Sequence, residues 1–239
     1  MLMEDKNKEK NNKKSSKGNT DHKRKKLFNA RRIAAAAGIL IVFGFFVLIM
    51  KSCHKGPMLL VPEYRQLGND NSSAILEIYE YTDLACPACA MANEKLHEIL
   101  EKHGDKVKLN FKHYPLTMHY WAERAALHAD CAGEQEKFFE YADMLFKNQE
   151  DWEEKENEPE EFMLYAEKLG LDKEKMQTCL NNFANLERIR LEKAEGIAKG
   201  VEGTPSFIIN GKYSIGLEGL IKAAEKLNKI KAEKDSNAQ

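Results

Sequence analysis

Cys86-Pro87-Ala88-Cys89 sets two thiols three residues apart. On the first turn of a helix that spacing permits a short, reversible disulfide. Pro87 suits such a start, because a proline at the first helical position forfeits no hydrogen bond and brings a preset φ. Free N–H groups and the partial positive charge at a helix start favour a thiolate, so Cys86 is the reactive sulfur. Cys89, one turn in, is placed to attack a mixed disulfide at Cys86 and release the partner. Zinc sites and local structural disulfides use the same spacing. Zinc would need a second ligand pair. Neither Cys131 and Cys179 nor His54, His97, His103, His113, His119 and His128 show ligand spacing, so no metal or other cofactor is expected. Solvated faces or satisfied polar positions are the expectation for the histidines.

These thiols require a strand before them and a layer around them. Residues 74–81, AILEIYEY, have the β-branched and aromatic content of a strand buried on both faces. From Pro87, Ala92, Leu96, Ile99 and Leu100 recur on one helical face until Gly104 ends the run. Residues 106–113 alternate Val107, Leu109 and Phe111 with polar side chains, giving a second strand and a βαβ unit of right-handed crossover. Residues 119–200 hold no strand pattern and five helical ones, at 121–131, 137–146, 160–169, 173–183 and 186–199. After Gly203, residues 206–209 and the segment around Tyr213, joined by Asn210-Gly211, read as a hairpin. An amphipathic helix over 217–227 follows. The expected fold class is α/β, one layered domain with a helical insertion at about 115–200.

The 239 residues are 43% hydrophobic and 31% charged, enough apolar material for a full core. The net charge of −1 hides a split: residues 1–32 carry twelve Lys and Arg against four Asp and Glu, residues 33–239 twenty-five against thirty-four. An acidic body excludes a nucleic-acid-binding domain, whose affinity needs clustered Lys and Arg. The basic residues Lys23, Arg24, Lys25, Lys26, Arg31 and Arg32 instead precede residues 33–50, IAAAAGILIVFGFFVLIM, which are uncharged. As a helix rising about 1.5 Å per residue they span roughly 27 Å, enough to cross a bilayer. The basic flank puts the amino terminus in the cytoplasm and the remainder outside, on a single-pass anchor. A cleaved signal peptide and acylation of Cys53 are the alternatives; the long polar lead argues against the first, and Lys51-Ser52 against the second. The expected divisions are a disordered basic tail (1–32), the anchor (33–50), a linker (51–73), the folded domain (74–231) and a flexible tail (232–239).

Beyond the cysteine pair, the chain carries Glu80-Tyr-Thr-Asp-Leu-Ala-Cys-Pro-Ala-Cys89, Tyr114-Pro-Leu-Thr-Met-His119, Ala125-Ala126, Cys131-Ala-Gly133, Lys137-Phe-Phe-Glu-Tyr-Ala-Asp-Met-Leu-Phe146 and Gly203-Thr-Pro-Ser-Phe207. Over about residues 68–227 it resembles the DsbA-like thiol:disulfide oxidoreductases of the thioredoxin superfamily. The resemblance implies a thioredoxin-like fold and an enzyme of the bacterial cell membrane whose domain works in the periplasm or extracytoplasmic space. It implies a cis peptide at Thr204-Pro205 beside the cysteines, with the Thr204 backbone pairing with a substrate strand, although an ordinary proline at a strand start is the alternative. Glu80 matches a buried acid able to take the proton from Cys89 if burial raises its pKa; the alternative is an exposed edge glutamate. Asp83 is expected as a local backbone cap. Ala88 stands where strongly oxidising members commonly carry a histidine, which implies weaker oxidising power. The implied partners are reduced or misfolded exported proteins and a reoxidising membrane protein, DsbB-like or quinone-linked. A reductase or isomerase, and a non-catalytic metal-binding module, are the competing classes. Outside the membrane a Cys131–Cys179 bridge would persist, with two buried free thiols as the alternative.

Overall fold

The computed structural model describes residues 59–69 and 74–237, together with Gly38 and Gly44, both helical. The remainder of the expected anchor, the basic tail and residues 51–58 lie outside the described residues. Among the described residues no helix is long and apolar enough to cross a membrane.

Five strands of the described residues form one sheet: β1 (Gln66–Gly68), β2 (Leu76–Thr82), β3 (Val107–His113), β4 (Ser206–Ile209) and β5 (Lys212–Ile215), in the order β1-β3-β2-β4-β5. β2 and β3 are parallel and the other neighbours antiparallel. The parallel pair is bridged by α1 (Pro87–His103), which buries Ala92, Leu96 and Ile99 with Leu76, Ile78, Val107 and Leu109. The central β2 was expected to be buried on both faces. Its last three residues are, but Glu77 is exposed and Tyr79 half-buried, and the two side chains hydrogen-bond outside, Tyr79 Oη donating to Glu77 Oε1 at 3.1 Å. At the β4–β5 turn Asn210 (φ 48°) and Gly211 (φ 78°) both take positive φ. A two-residue turn matching strand twist demands this pair of conformations, hence the Asn-Gly.

The inserted block comprises α2 (Ala122–Gly133), α3 (Phe138–Lys147), α4 (Gln149–Trp152), α5 (Glu161–Lys168), α6 (Lys173–Leu180) and α7 (Phe183–Ala198). Its core gathers Phe138, Tyr141, Leu145, Trp152, Phe162 and Met176, with Phe111 of β3 and Cys89 of α1 in the same cluster. Asp172 and Asn182 cap α6 and α7 by accepting backbone N–H groups of the first turn. Cys131 and Cys179 are bonded, Cα atoms 5.6 Å apart, and so tie α2 to α6. The four residues of α4 carry no periodic signal of their own.

Two expected boundaries move. Residues 59–69, assigned to the linker, belong to the domain: a 3-10 turn at Glu63–Arg65 leads into β1 at the β3 edge. Three residues are too few to show alternation, and an ionic cluster holds them instead. Arg65 is fully buried and donates to both oxygens of Glu192, at 2.7 and 2.6 Å, and its Nε lies 3.2 Å from Asp130 Oδ1. Asp130 also meets His113 Nε2 and Arg188, each at 3.1 Å. A Cβ on Gly133 would collide with the Tyr64 ring, so only glycine admits this segment there. At the other end, the last helix, α8, runs Glu218–Asn237, past the expected 227 and through most of the tail expected to be flexible. The Lys, Glu and Ala content of residues 229–234 favours continuation of the helix.

Candidate active site

β2 delivers the chain to a tight turn. The Asp83 carboxylate accepts the Ala85 N–H at 2.8 Å, and its carbonyl accepts the Cys86 N–H at 3.0 Å. Cys86 then occupies the N-cap of α1 in an extended conformation, and Pro87 opens the helix. The Cys86 carbonyl accepts the Cys89 N–H at 2.9 Å and the Gln149 side chain at 3.1 Å; Gln149 donates also to Leu84 O at 2.8 Å. The turn holding the reactive sulfur is therefore braced from α4.

Both thiols are free. Cys86 keeps 8% of its surface exposed and Cys89 none. The Cys86 thiol is held down to about 5, chiefly because Cys89 donates to it; burial opposes this, and the Thr204 hydroxyl and the N–H groups of Cys89 and Ala88 add to it. Cys89 is pushed far up by burial and then by the neighbouring Cys86. One sulfur is thus a thiolate at neutral pH and the other a thiol. Beneath them Glu80 pairs in the sheet with Phe111 and Phe207, is 1% exposed, and has Oε1 unpartnered. Burial raises its carboxyl to about 8. The Thr82 hydroxyl neighbours both the Glu80 carboxyl and the Cys89 thiol and lowers each, without meeting hydrogen-bond geometry to either. Opposite, the Thr204-Pro205 peptide is cis, and the Cys86 thiol lies 3.7 Å from the Thr204 carbonyl it faces. Cys86, Cys89, Thr204 and Pro205 therefore meet in one place, and Thr82 links Glu80 to them. Cys131 and Cys179 are bonded to each other and lend it no thiol.

A family model described as thioredoxin matches residues 63–226. The chain belongs to the thioredoxin family. Among solved structures, alpha-DsbA1 of Wolbachia pipientis matches with a TM-score of 0.62 at 24% identity, covering 73% of this chain and 95% of that one. BdbD of Bacillus subtilis, in its oxidised form, matches with a TM-score of 0.57 at 21% identity, covering 68% and 91%. These likenesses establish a DsbA-like thioredoxin fold. Among curated relatives, the Na(+)/H(+) antiporter NhaA 3 of Salinispora tropica is 33% identical over 144 residues, 60% of this chain and 21% of that protein. The NhaA 1 antiporter of a Mycobacterium strain, KMS, is 31% identical over 170 residues, 69% of this chain and 27% of that protein. The chain thus spans about a fifth to a quarter of the length of these relatives.

Two residues of this thioredoxin-family site, Gln149 and Glu153, escaped the sequence reading, and two others, His119 and Asp83, do more than it gave them. Gln149 braces the cysteine turn from more than sixty residues away, and no local pattern marks it. His119, expected on a solvated face or at a satisfied position, donates Nδ1–H to Asp83 Oδ2 at 2.7 Å. Asp83 is more than the expected local cap, since the same oxygen accepts the Leu116 N–H at 2.7 Å and thereby ties the loop after β3 to the motif. Glu153, just past α4, has its carboxyl raised by burial; His119 lowers it, while Glu154, Asp83 and Cys86 raise it. Among the described residues no group of three or more His, Cys, Asp or Glu is arranged to hold a metal ion.

Proposed function

We propose that the chain is a membrane-tethered protein disulfide oxidoreductase that oxidises cysteines of exported proteins by exchange through Cys86 and Cys89. The opposed displacement of the two thiols, one down to about 5 and one far up, carries this reading. In the oxidised protein a substrate thiolate attacks Sγ of Cys86, the Cys86–Cys89 bond breaks, and its electron pair passes to Cys89, which accepts a proton from Glu80. A second substrate thiolate attacks the substrate sulfur of the mixed disulfide, and Cys86 departs as a stabilised thiolate. Stabilising the reduced state is what makes such a couple oxidising, so the same observation favours this direction. Alanine at position 88 offers no side-chain donor, and the Cys89 thiol and backbone N–H groups serve instead.

Exposed Met118 and Tyr120 on either side of His119, at 79% and 77%, and Ile215 opposite Ser206, at 53%, suit an unfolded polypeptide. The division into basic tail, anchor at 33–50 and exported domain rests on the uncharged span and its basic flank. Reoxidation falls to a membrane protein that passes the electrons on to a quinone.

Equilibration with glutathione tests the direction. The expected potential of the Cys86–Cys89 couple lies above about −200 mV, and a value near the roughly −270 mV of thioredoxin would transfer the protein to the reductases. Alkaline phosphatase fused after residue 60 should be active; an inactive, cytoplasmic fusion would remove the anchor and its topology.

A further inference from the structure

Exchange at Cys86 and Cys89 leaves one proton unaccounted for. A cysteine thiol of ordinary pKa, about 8.5, is only about 3% ionised at pH 7, and only its thiolate attacks. Cys86, Cys89 and Glu80 manage charge on the enzyme side of the reaction and do nothing to the incoming thiol.

His119 lies outside the motif, on the loop between β3 and α2, flanked by the exposed Met118 and Tyr120. Its Nδ1–H is bound at 2.7 Å by Asp83, whose side chain has no exposed surface. Asp83 itself is anchored in the cysteine turn, its other oxygen on the Ala85 N–H and its carbonyl on the Cys86 N–H. The imidazole is 21% exposed, and Nε2 has no hydrogen bond among the described residues. A buried carboxylate on Nδ1 fixes the tautomer in which Nε2 carries a lone pair, the arrangement that makes an imidazole a base. Asp83 holds it by a hydrogen bond, and Glu153 feels its charge. Asp83 also joins His119 to Cys86, its carboxylate holding Nδ1–H of His119 and its carbonyl holding the Cys86 N–H.

We propose that His119 is the base that takes the proton from the substrate thiol attacking Cys86, a role that rests on the oxidoreductase reading above. The S–H proton moves to Nε2, and the thiolate bonds to Sγ of Cys86. The Cys86–Cys89 bond breaks, its electron pair goes to Cys89, and Glu80 supplies the proton there. The substrate sulfur is oxidised, Cys89 is reduced, and imidazolium and Glu80 carboxylate balance the charge.

The test is the rate at which the full-length oxidised protein reacts with two thiols at pH 7, in the parent and in His119→Asn. The asparagine amide can still donate to Asp83 and keep the loop in place. With a cysteine peptide of ordinary pKa the variant should react up to about 30-fold more slowly, the factor set by the ionised fraction, and recover as pH approaches 8.5. With an aromatic thiol already ionised at pH 7, 5-thio-2-nitrobenzoate, parent and variant should agree within about twofold. Equal losses with both thiols would reveal a structural residue and overturn the proposal, as would no loss with either. A parent that oxidises neither thiol would refute the oxidoreductase reading itself.

Discussion

Glu80 offers the most direct test of how burial governs this site. Its carboxyl is closed off by sheet neighbours, and burial lifts its pKa to about 8, from the 4.5 it has when exposed. Between those values the folded protein holds a proton that the unfolded chain releases. A group raised on folding contributes stability that is complete below the unfolded pKa and is lost as pH climbs through the folded one. Each pH unit in that window costs about 1.4 kcal/mol, so the window from 4.5 to about 8 costs about 5 kcal/mol in all. Glu80→Gln has the shape of the protonated acid and never ionises. It should match the parent within about 1 kcal/mol at pH 5, exceed it by about 3 kcal/mol at pH 7, and gain most of the remainder between pH 7 and 8. Urea unfolding from pH 5 to 9, followed by Trp121 and Trp152 fluorescence on the oxidised protein, keeps both motif thiols out of the titration. A difference between variant and parent that stays flat over pH 5–8 would refute the assignment of a buried, protonated acid. The same substitution removes the proton donor to Cys89, so a more stable protein should also be a slower one.

Cys86→Ser should abolish oxidation of a reduced protein, while Cys89→Ser should accumulate a mixed disulfide through Cys86, visible by mass spectrometry; release of substrate by Cys89→Ser would disprove the resolving role. Ala88→His should lower the Cys86 pKa further, read as thiolate absorbance, and raise the potential; no movement in either would contradict the electrostatic account of the motif. Replacing Cys131 and Cys179 together by Ala should cost about 4 kcal/mol on the chain-entropy account of a closed loop with sequence separation 48, measured by urea unfolding. Arg65→Met should cost about 3–5 kcal/mol in the same assay, because Glu192 would be left buried without its cation while Asp130 keeps only Arg188 and His113; a loss below about 1 kcal/mol would show that the ionic cluster does not hold β1.

Read from the chain alone, the thiols announce themselves because their chemistry depends on a spacing of three, a proline at the helix start and a strand just before. All three are local, as is Asn210-Gly211, whose two positive φ values need those residue types whatever surrounds them. The helical block, α4 apart, was legible for the same reason, each of its other helices repeating its apolar face every three to four residues. Glu80 stood out through resemblance only. A glutamate in a strand is exposed or buried according to its neighbours, and the register that sets Phe111 and Phe207 beside it is a property of the assembled sheet. β1 was missed because three residues carry no period, and its attachment depends on a cation at 65 finding carboxylates at 130 and 192. Gln149 and His119 reach the motif from 36 to 65 residues away. Their roles come from hydrogen bonds whose two ends are brought together only when the chain folds. Local conformational preference is written residue by residue, whereas burial, and with it the pKa of Glu80 and Cys89, belongs to the packed whole.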